Sequence, residues 1–160
     1  MTEELNSKQI RAKFPFLSRE VNAKPIIYLD SAASSQKPQQ VLDKLLRTYS
    51  HGYANIHRGL HTLSEEATDA YEEVRSKIAR FINAADKDEV IFTSGATMSL
   101  NLIANCYGLQ KLKSGDEILI TVAEHHANII PWQMLCQKTG AKIVAVPVDD
   151  DGCFNITELK

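Results

Sequence analysis

An α/β fold with a largely parallel sheet is what the 160-residue sequence predicts, and three observations predict it. Apolar, β-branched segments at about residues 89–93, 117–122 and 142–148 read as strands. Segments at about 96–107 and 127–139 carry helical periodicity between them. Gly108 and Gly140 stand where helix C-caps belong. Strands alternating with amphipathic helices imply βαβ units and a sheet covered on both faces, with ligands at the C-terminal ends of the strands.

The earlier elements follow in order. Ser7 is placed to cap a helix running to Phe14, which Pro15 stops. Residues 26–29 read as a further, edge strand entering a small-residue turn at 30–35. From about Pro38 a helix puts Val41, Leu42, Leu45, Leu46 and Tyr49 on one side, and Gly52 ends it. Thr62 with Glu65 forms a capping-box pattern before a helix that presents Ala67, Tyr71, Val74, Ile78 and Phe81.

Composition narrows the function classes. The chain is 44% hydrophobic and 24% charged, which suits a globular domain or a large part of one. A formal charge of −2 gives no reason to invoke nucleic acid or an anionic membrane as partner. No apolar run approaches the roughly 20 residues of a membrane helix, and the N-terminus lacks the pattern of a signal peptide. Cys106, Cys136 and Cys153 are widely spaced and form no zinc or disulfide framework, so a reducing, cytoplasmic setting is expected.

Two strand-to-helix turns carry the chemistry. In Thr93-Ser94-Gly95-Ala96-Thr97 a glycine permits close backbone approach, the Ala96 and Thr97 N–H groups open a helix, and the Thr97 hydroxyl can donate. The turn has no Walker lysine and no dinucleotide glycines; the alternatives are a phosphate cup and an ordinary turn. The second turn holds Glu124-His125-His126-Ala127-Asn128, where an imidazole can lie on a bound ring or merely close a loop. A planar phosphorylated cofactor fits the two together. No metal site is expected: adjacent histidines rarely converge on one ion, and His57 and His61 lack the glutamate of H-E-x-x-H and enclose Gly59. Cys106 and Cys136 fall in helices, where buried, inert thiols are expected, and Lys111, Lys113, Lys138 and Lys142 read as solvated charges.

Four ordered motifs give a family resemblance: Tyr28-Leu29-Asp30-Ser31-Ala32-Ala33-Ser34, His57-Arg58-Gly59-Leu60-His61-Thr62-Leu63-Ser64, Gly95-Ala96-Thr97 and His125-His126-Ala127-Asn128. The chain resembles the N-terminal part of a class V aminotransferase-fold cysteine desulfurase of the SufS and CsdA type. That resemblance implies the aspartate aminotransferase-like fold type I of pyridoxal 5′-phosphate (PLP) dependent transferases, with an incomplete large domain. It implies an N-terminal segment and active-site loop over residues 1–60 and the first part of the PLP-binding domain over 61–160. PLP is the implied cofactor, held by Gly95, Ala96, Thr97 and His125, with His125 stacked on the pyridine ring as the proton-transfer residue. His57 is an implied substrate contact, and Arg58 supports the His57 loop; Ala32 and Ala33, small residues after a strand, suit a backbone wall close to a small substrate or, equally, are packing residues. Many such proteins carry threonine where Ala96 stands and glutamate where Met98 stands, a departure at one phosphate contact.

The implied reaction converts L-cysteine to L-alanine and stores sulfur as an enzyme persulfide for iron–sulfur cluster assembly, with selenocysteine as a close variant substrate. A homodimer and a SufE- or SufU-like acceptor are the implied partners, without nucleic acid or membrane. The Schiff-base lysine and persulfide cysteine match no residue here, so the chain is expected to be a fragment. A helix-start pattern at 155–158 so close to Lys160 points the same way. A non-catalytic truncated product or binding fragment, and another class V reaction, are the competing expectations.

Overall fold

Asn6 rather than Ser7 caps the first helix in the computed structural model, which describes residues 6–154. The Asn6 side chain accepts the Gln9 N–H at 3.2 Å, and helix α1 (Ser7–Arg11) stops before Phe14. The chain divides into two compact units, Met1–Val90 and Ile91–Lys160.

In the first unit, β1 (Glu20–Val21) and β2 (Lys24–Pro25) form a small antiparallel hairpin, and the Ile26 N–H reaches the Arg19 carbonyl at 3.1 Å. The strand expected at 26–29 is absent. Ile27 and Leu29 are 82% and 90% exposed, and no described strand lies beside them to complete a ladder. The turn that follows is held by the Tyr28 hydroxyl, which donates to the carbonyls of Asp30 and Ser34. Helix α2 (Gln39–Arg47) starts after Pro38 and widens into a π-helical turn, Thr48–Gly52. Its periodicity is as expected, yet Val41, Leu42, Leu45, Leu46 and Tyr49 are all exposed. Helix α3 (Thr62–Phe81) is capped by His61 instead of Thr62: the His61 Nδ1 accepts the Ser64 N–H at 3.3 Å. A 3-10 turn, Lys87–Glu89, follows.

The strand expected at 89–93 does not form either: Glu89 ends the 3-10 turn, and residues 90–93 make no ladder. In the second unit, α4 (Ala96–Leu102) runs through a π-helical segment, Ile103–Gly108, into α5 (Leu109–Lys111). Gly108 is therefore helical, not a C-cap. It is glycine because a Cβ there would collide with the buried Leu135 side chain. β3 (Glu117–Thr121) and β4 (Lys142–Val146) pair in parallel, with Glu117 opposite Lys142 and Thr121 opposite Val146. The connection is a 3-10 turn, His126–Asn128, and α6 (Ile130–Thr139), which ends on left-handed Gly140 as expected. Val90 of the first unit and Ala104, Leu135, Ala141 and Val146 of the second are buried, but Leu119 on β3 is half exposed, so cover on both faces is not achieved. Among the described residues no helix is long and apolar enough to cross a membrane. The helix expected from residue 155 lies outside the described residues.

Candidate functional site

Thr93, Gly95 and the start of α4 build the first half of the site. Gly95 has φ +153°, which L side chains rarely adopt, and the space where its Cβ would stand is open. The Ala96 and Thr97 N–H groups lead the helix, where no helical carbonyl precedes them, and both residues are exposed. The Thr97 hydroxyl has no partner among the described residues. Thr93 braces the turn from inside: its Oγ1 lies 2.7 Å from Ser99 Oγ and 3.2 Å from the Gly95 carbonyl. Ser94 Oγ meets the Met98 sulfur at 3.3 Å. The turn thus presents an open backbone edge with a hydroxyl at its rim, a geometry that can receive an anion.

His125 follows β3 and caps the His126–Asn128 turn, and that turn packs against α4. The two expected motifs are therefore neighbours within one unit. His125 Nδ1 accepts the Ala127 N–H at 3.1 Å, which leaves the proton of the neutral ring on Nε2. His126 meets it edge-on with centroids 6.2 Å apart, so the two imidazoles present different faces. The same turn carries a hydrogen-bonded chain that the sequence alone did not reveal. Thr121 Oγ1 donates to Glu124 at 3.1 Å, Asn128 Nδ2 donates to the other Glu124 oxygen at 2.8 Å, and Trp132 Nε1 donates to Asn128 Oδ1 at 2.9 Å. The i, i+4, i+8 spacing of Glu124, Asn128 and Trp132 was the available signal.

In the first unit, Ala32 and Ala33 are exposed on the turn after Tyr28. His57 is half exposed and already engaged: its N–H donates to Thr68 Oγ1 at 2.8 Å and its Nε2 lies 3.1 Å from Glu72. Glu72 also takes Lys87 at 2.8 Å and Arg75 at 3.2 Å. The Lys87 ammonium leads the causes that hold the Glu72 carboxyl at about 2; partial burial opposes it, and His57 and Arg75 assist. In return Glu72 raises the Lys87 ammonium.

A cleft of about 350 Å³ over β3 is lined by Ile118, Ile120, Val146 and Phe154, with Glu124 and Asn128 at its edge. It offers a phosphate no cation and includes neither Thr97 nor His125. Another, of about 500 Å³ beside Lys44, Arg47, His51 and Tyr71, contains no expected site residue. Cys106 and Cys153 are exposed and Cys136 is half-buried, correcting the expectation of buried thiols. Cys106 lies in the π-helical segment and is exposed there. Every described lysine is exposed, and no described group of three or more His, Cys, Asp or Glu residues could hold a metal.

The profile of the aminotransferase class-V family matches residues 27–160, which takes in every residue named above as a candidate. The chain belongs to the aminotransferase class-V family. Curated class-V relatives include a cysteine desulfurase of Serratia proteamaculans strain 568, 53% identical over 152 residues, and one of Enterobacter sp. strain 638, 51% identical over 152 residues. Each match covers 95% of this chain and 37% of the relative, so the chain spans a little over a third of their length. Among solved structures, the apo cysteine desulfurase of Thermococcus onnurineus NA1 superposes with a TM-score of 0.86 at 35% identity, covering 99% of this chain and 38% of that one. The cysteine desulfurase CsdA of Escherichia coli gives 0.74 at 41% identity, covering 92% and 36%. This class-V chain carries part of the fold type I architecture, here a small parallel sheet with its helices.

Proposed function

We propose that the protein acts as a PLP-dependent cysteine desulfurase, converting L-cysteine to L-alanine and passing the sulfur on as an enzyme persulfide for iron–sulfur cluster assembly. The observation that carries this reading is the open Gly95–Thr97 helix start with the His125 turn packed against the same helix, in a chain 53% identical to a cysteine desulfurase. Bound PLP supplies an electron sink for bond cleavage next to the substrate α-carbon. Gly95, Ala96 and Thr97 would hold its phosphate through backbone N–H groups and one hydroxyl, because that edge is unshielded and the Thr97 hydroxyl is unpartnered among the described residues. His125, fixed through Nδ1, would lie over the ring and move a proton at Nε2.

His57 is assigned to the substrate on family resemblance, and Ala32 and Ala33 on their small side-chain volume, with residues 1–60 as the N-terminal segment and active-site loop and 61–160 as the first part of the cofactor domain. The same resemblance supports a cytoplasmic homodimer served by a SufE- or SufU-like acceptor. The test is the complete protein with PLP and L-cysteine, read as alanine and sulfide against PLP alone; alanine no faster than that control overturns the reading. L-selenocysteine run in parallel distinguishes the selenocysteine variant.

A further inference from the structure

We propose that α3 sets the orientation of His57 through a clasp of three residues on successive turns, Ser64, Thr68 and Glu72, with Glu72 as the positioning residue for the imidazole. The proposal deepens the assignment of His57 to the substrate and rests on it for its functional meaning. Each residue of the clasp holds a different point of the 55–61 loop. Ser64, 1% exposed, donates from Oγ to the Asn55 carbonyl at 2.6 Å, and Gly59 passes so close to it that any Cβ would collide. Thr68 Oγ1 accepts the His57 N–H at 2.8 Å while donating to the Ser64 carbonyl at 2.7 Å. Glu72 takes His57 Nε2 at 3.1 Å.

These bonds act on a backbone that would otherwise relax. His57 has φ +69°, a left-handed conformation that costs a non-glycine residue free energy and persists only where its surroundings over-determine it. The ring is fixed on a second side by Tyr71, edge-on at 5.4 Å and 86°. Glu72 is itself immobilised, since Lys87 and Arg75 hold its two oxygens at 2.8 to 3.3 Å. With Nε2 committed to Glu72, the Nδ1 edge of a side chain that is 48% exposed is the part left to meet a ligand. An i, i+3 pair of Glu72 with Arg75 alone would need none of this: it would stabilise α3 without a third partner 15 residues away.

The test is carbethoxylation of His57 by diethyl pyrocarbonate in the complete protein, mapped by mass spectrometry with His51 as internal reference. Glu72→Ala is expected to raise the His57 rate relative to His51 at least about threefold, the scale of one lost hydrogen bond. Glu72→Gln, which keeps an acceptor oxygen and the side-chain volume, serves where the alanine variant fails to fold, and is expected to shift the ratio in the same direction. An unchanged ratio in folded Glu72 variants overturns the clasp. In turnover, His57→Ala and Glu72→Ala are each expected to raise KM for L-cysteine more than they lower kcat, with no further rise in the double variant. A KM unmoved by His57→Ala overturns the substrate assignment alone, because the carbethoxylation ratio decides the clasp independently.

Discussion

Thr97 and His125 are the residues on which the functional reading is most exposed to test. Thr97 offers an unpartnered hydroxyl at the rim of an open helix start, so under the proposed assignment a bond from it to a phosphate would be charge-assisted. Thr97→Val in the complete protein is expected to weaken PLP retention roughly tenfold or more; equal cofactor content and affinity in a folded variant would remove the phosphate assignment. His125 and His126 differ in a way their adjacency hides. His125 is fixed through Nδ1 as the cap of its turn, whereas His126 is the first residue inside it. His125→Ala is expected to lower alanine formation by about a hundredfold, the scale of a lost proton-transfer group, and to perturb the cofactor absorbance. His126→Ala should do neither, and similar mild losses from both would reduce the pair to a loop closure. The identities of Gly95, Thr97 and His125 were legible because backbone freedom, a hydroxyl and an imidazole are properties of residue type. That His57 is tied to Glu72 was not, since the partner lies 15 positions away and only the folded loop brings it within 3.1 Å.

At the scale of elements, two side-chain ladders hold the two loops that carry histidines: Ser64, Thr68 and Glu72 for His57, and Glu124, Asn128 and Trp132 for His125. Both repeat every four positions, so both were written in the sequence as a spacing without a visible purpose. The Glu72 ladder predicts an acid response. Its carboxyl lies at about 2, well below its ordinary 4.5, so it binds a proton less readily folded than unfolded. Its contribution is therefore fully present above about pH 4.5 and is lost as pH falls toward 2. His57, Arg75 and Lys87 face it, with Asp88 3.7 Å from Arg75. Thermal unfolding of the complete protein and Glu72→Gln from pH 7 to pH 2.5 should show a stability difference that narrows below pH 4.5; a difference independent of pH would contradict it.

Helix ends give the complementary lesson. Gly108 and Gly140 look alike in sequence, but one is helical and packed on Leu135 and the other is left-handed at φ +77°. Gly140→Ala should cost about 1–2 kcal/mol in urea unfolding through that backbone conformation. No change would mean that the α6–β4 turn relaxes freely.

For the whole molecule, the missing strands and the exposed lysines matter together. The class-V relatives are more than twice as long as this chain, and none of the described lysines sits in an enclosed site. A preparation of residues 1–160 given PLP and L-cysteine is therefore expected to form alanine and sulfide no faster than PLP alone. Turnover above that control would force a search among the lysines present. The sequence by itself determined the helices α2, α3, α4 and α6, the pairing-competent strands β3 and β4, and the glycine, hydroxyl and imidazole of the candidate site, because these follow from local periodicity and residue chemistry. Tertiary structure alone decided that residues 26–29 and 89–93 are not strands, that the apolar face of α2 is exposed, and that α4 and the His125 turn are neighbours. A strand exists only when another backbone supplies its hydrogen bonds, and a face is buried only when another element covers it.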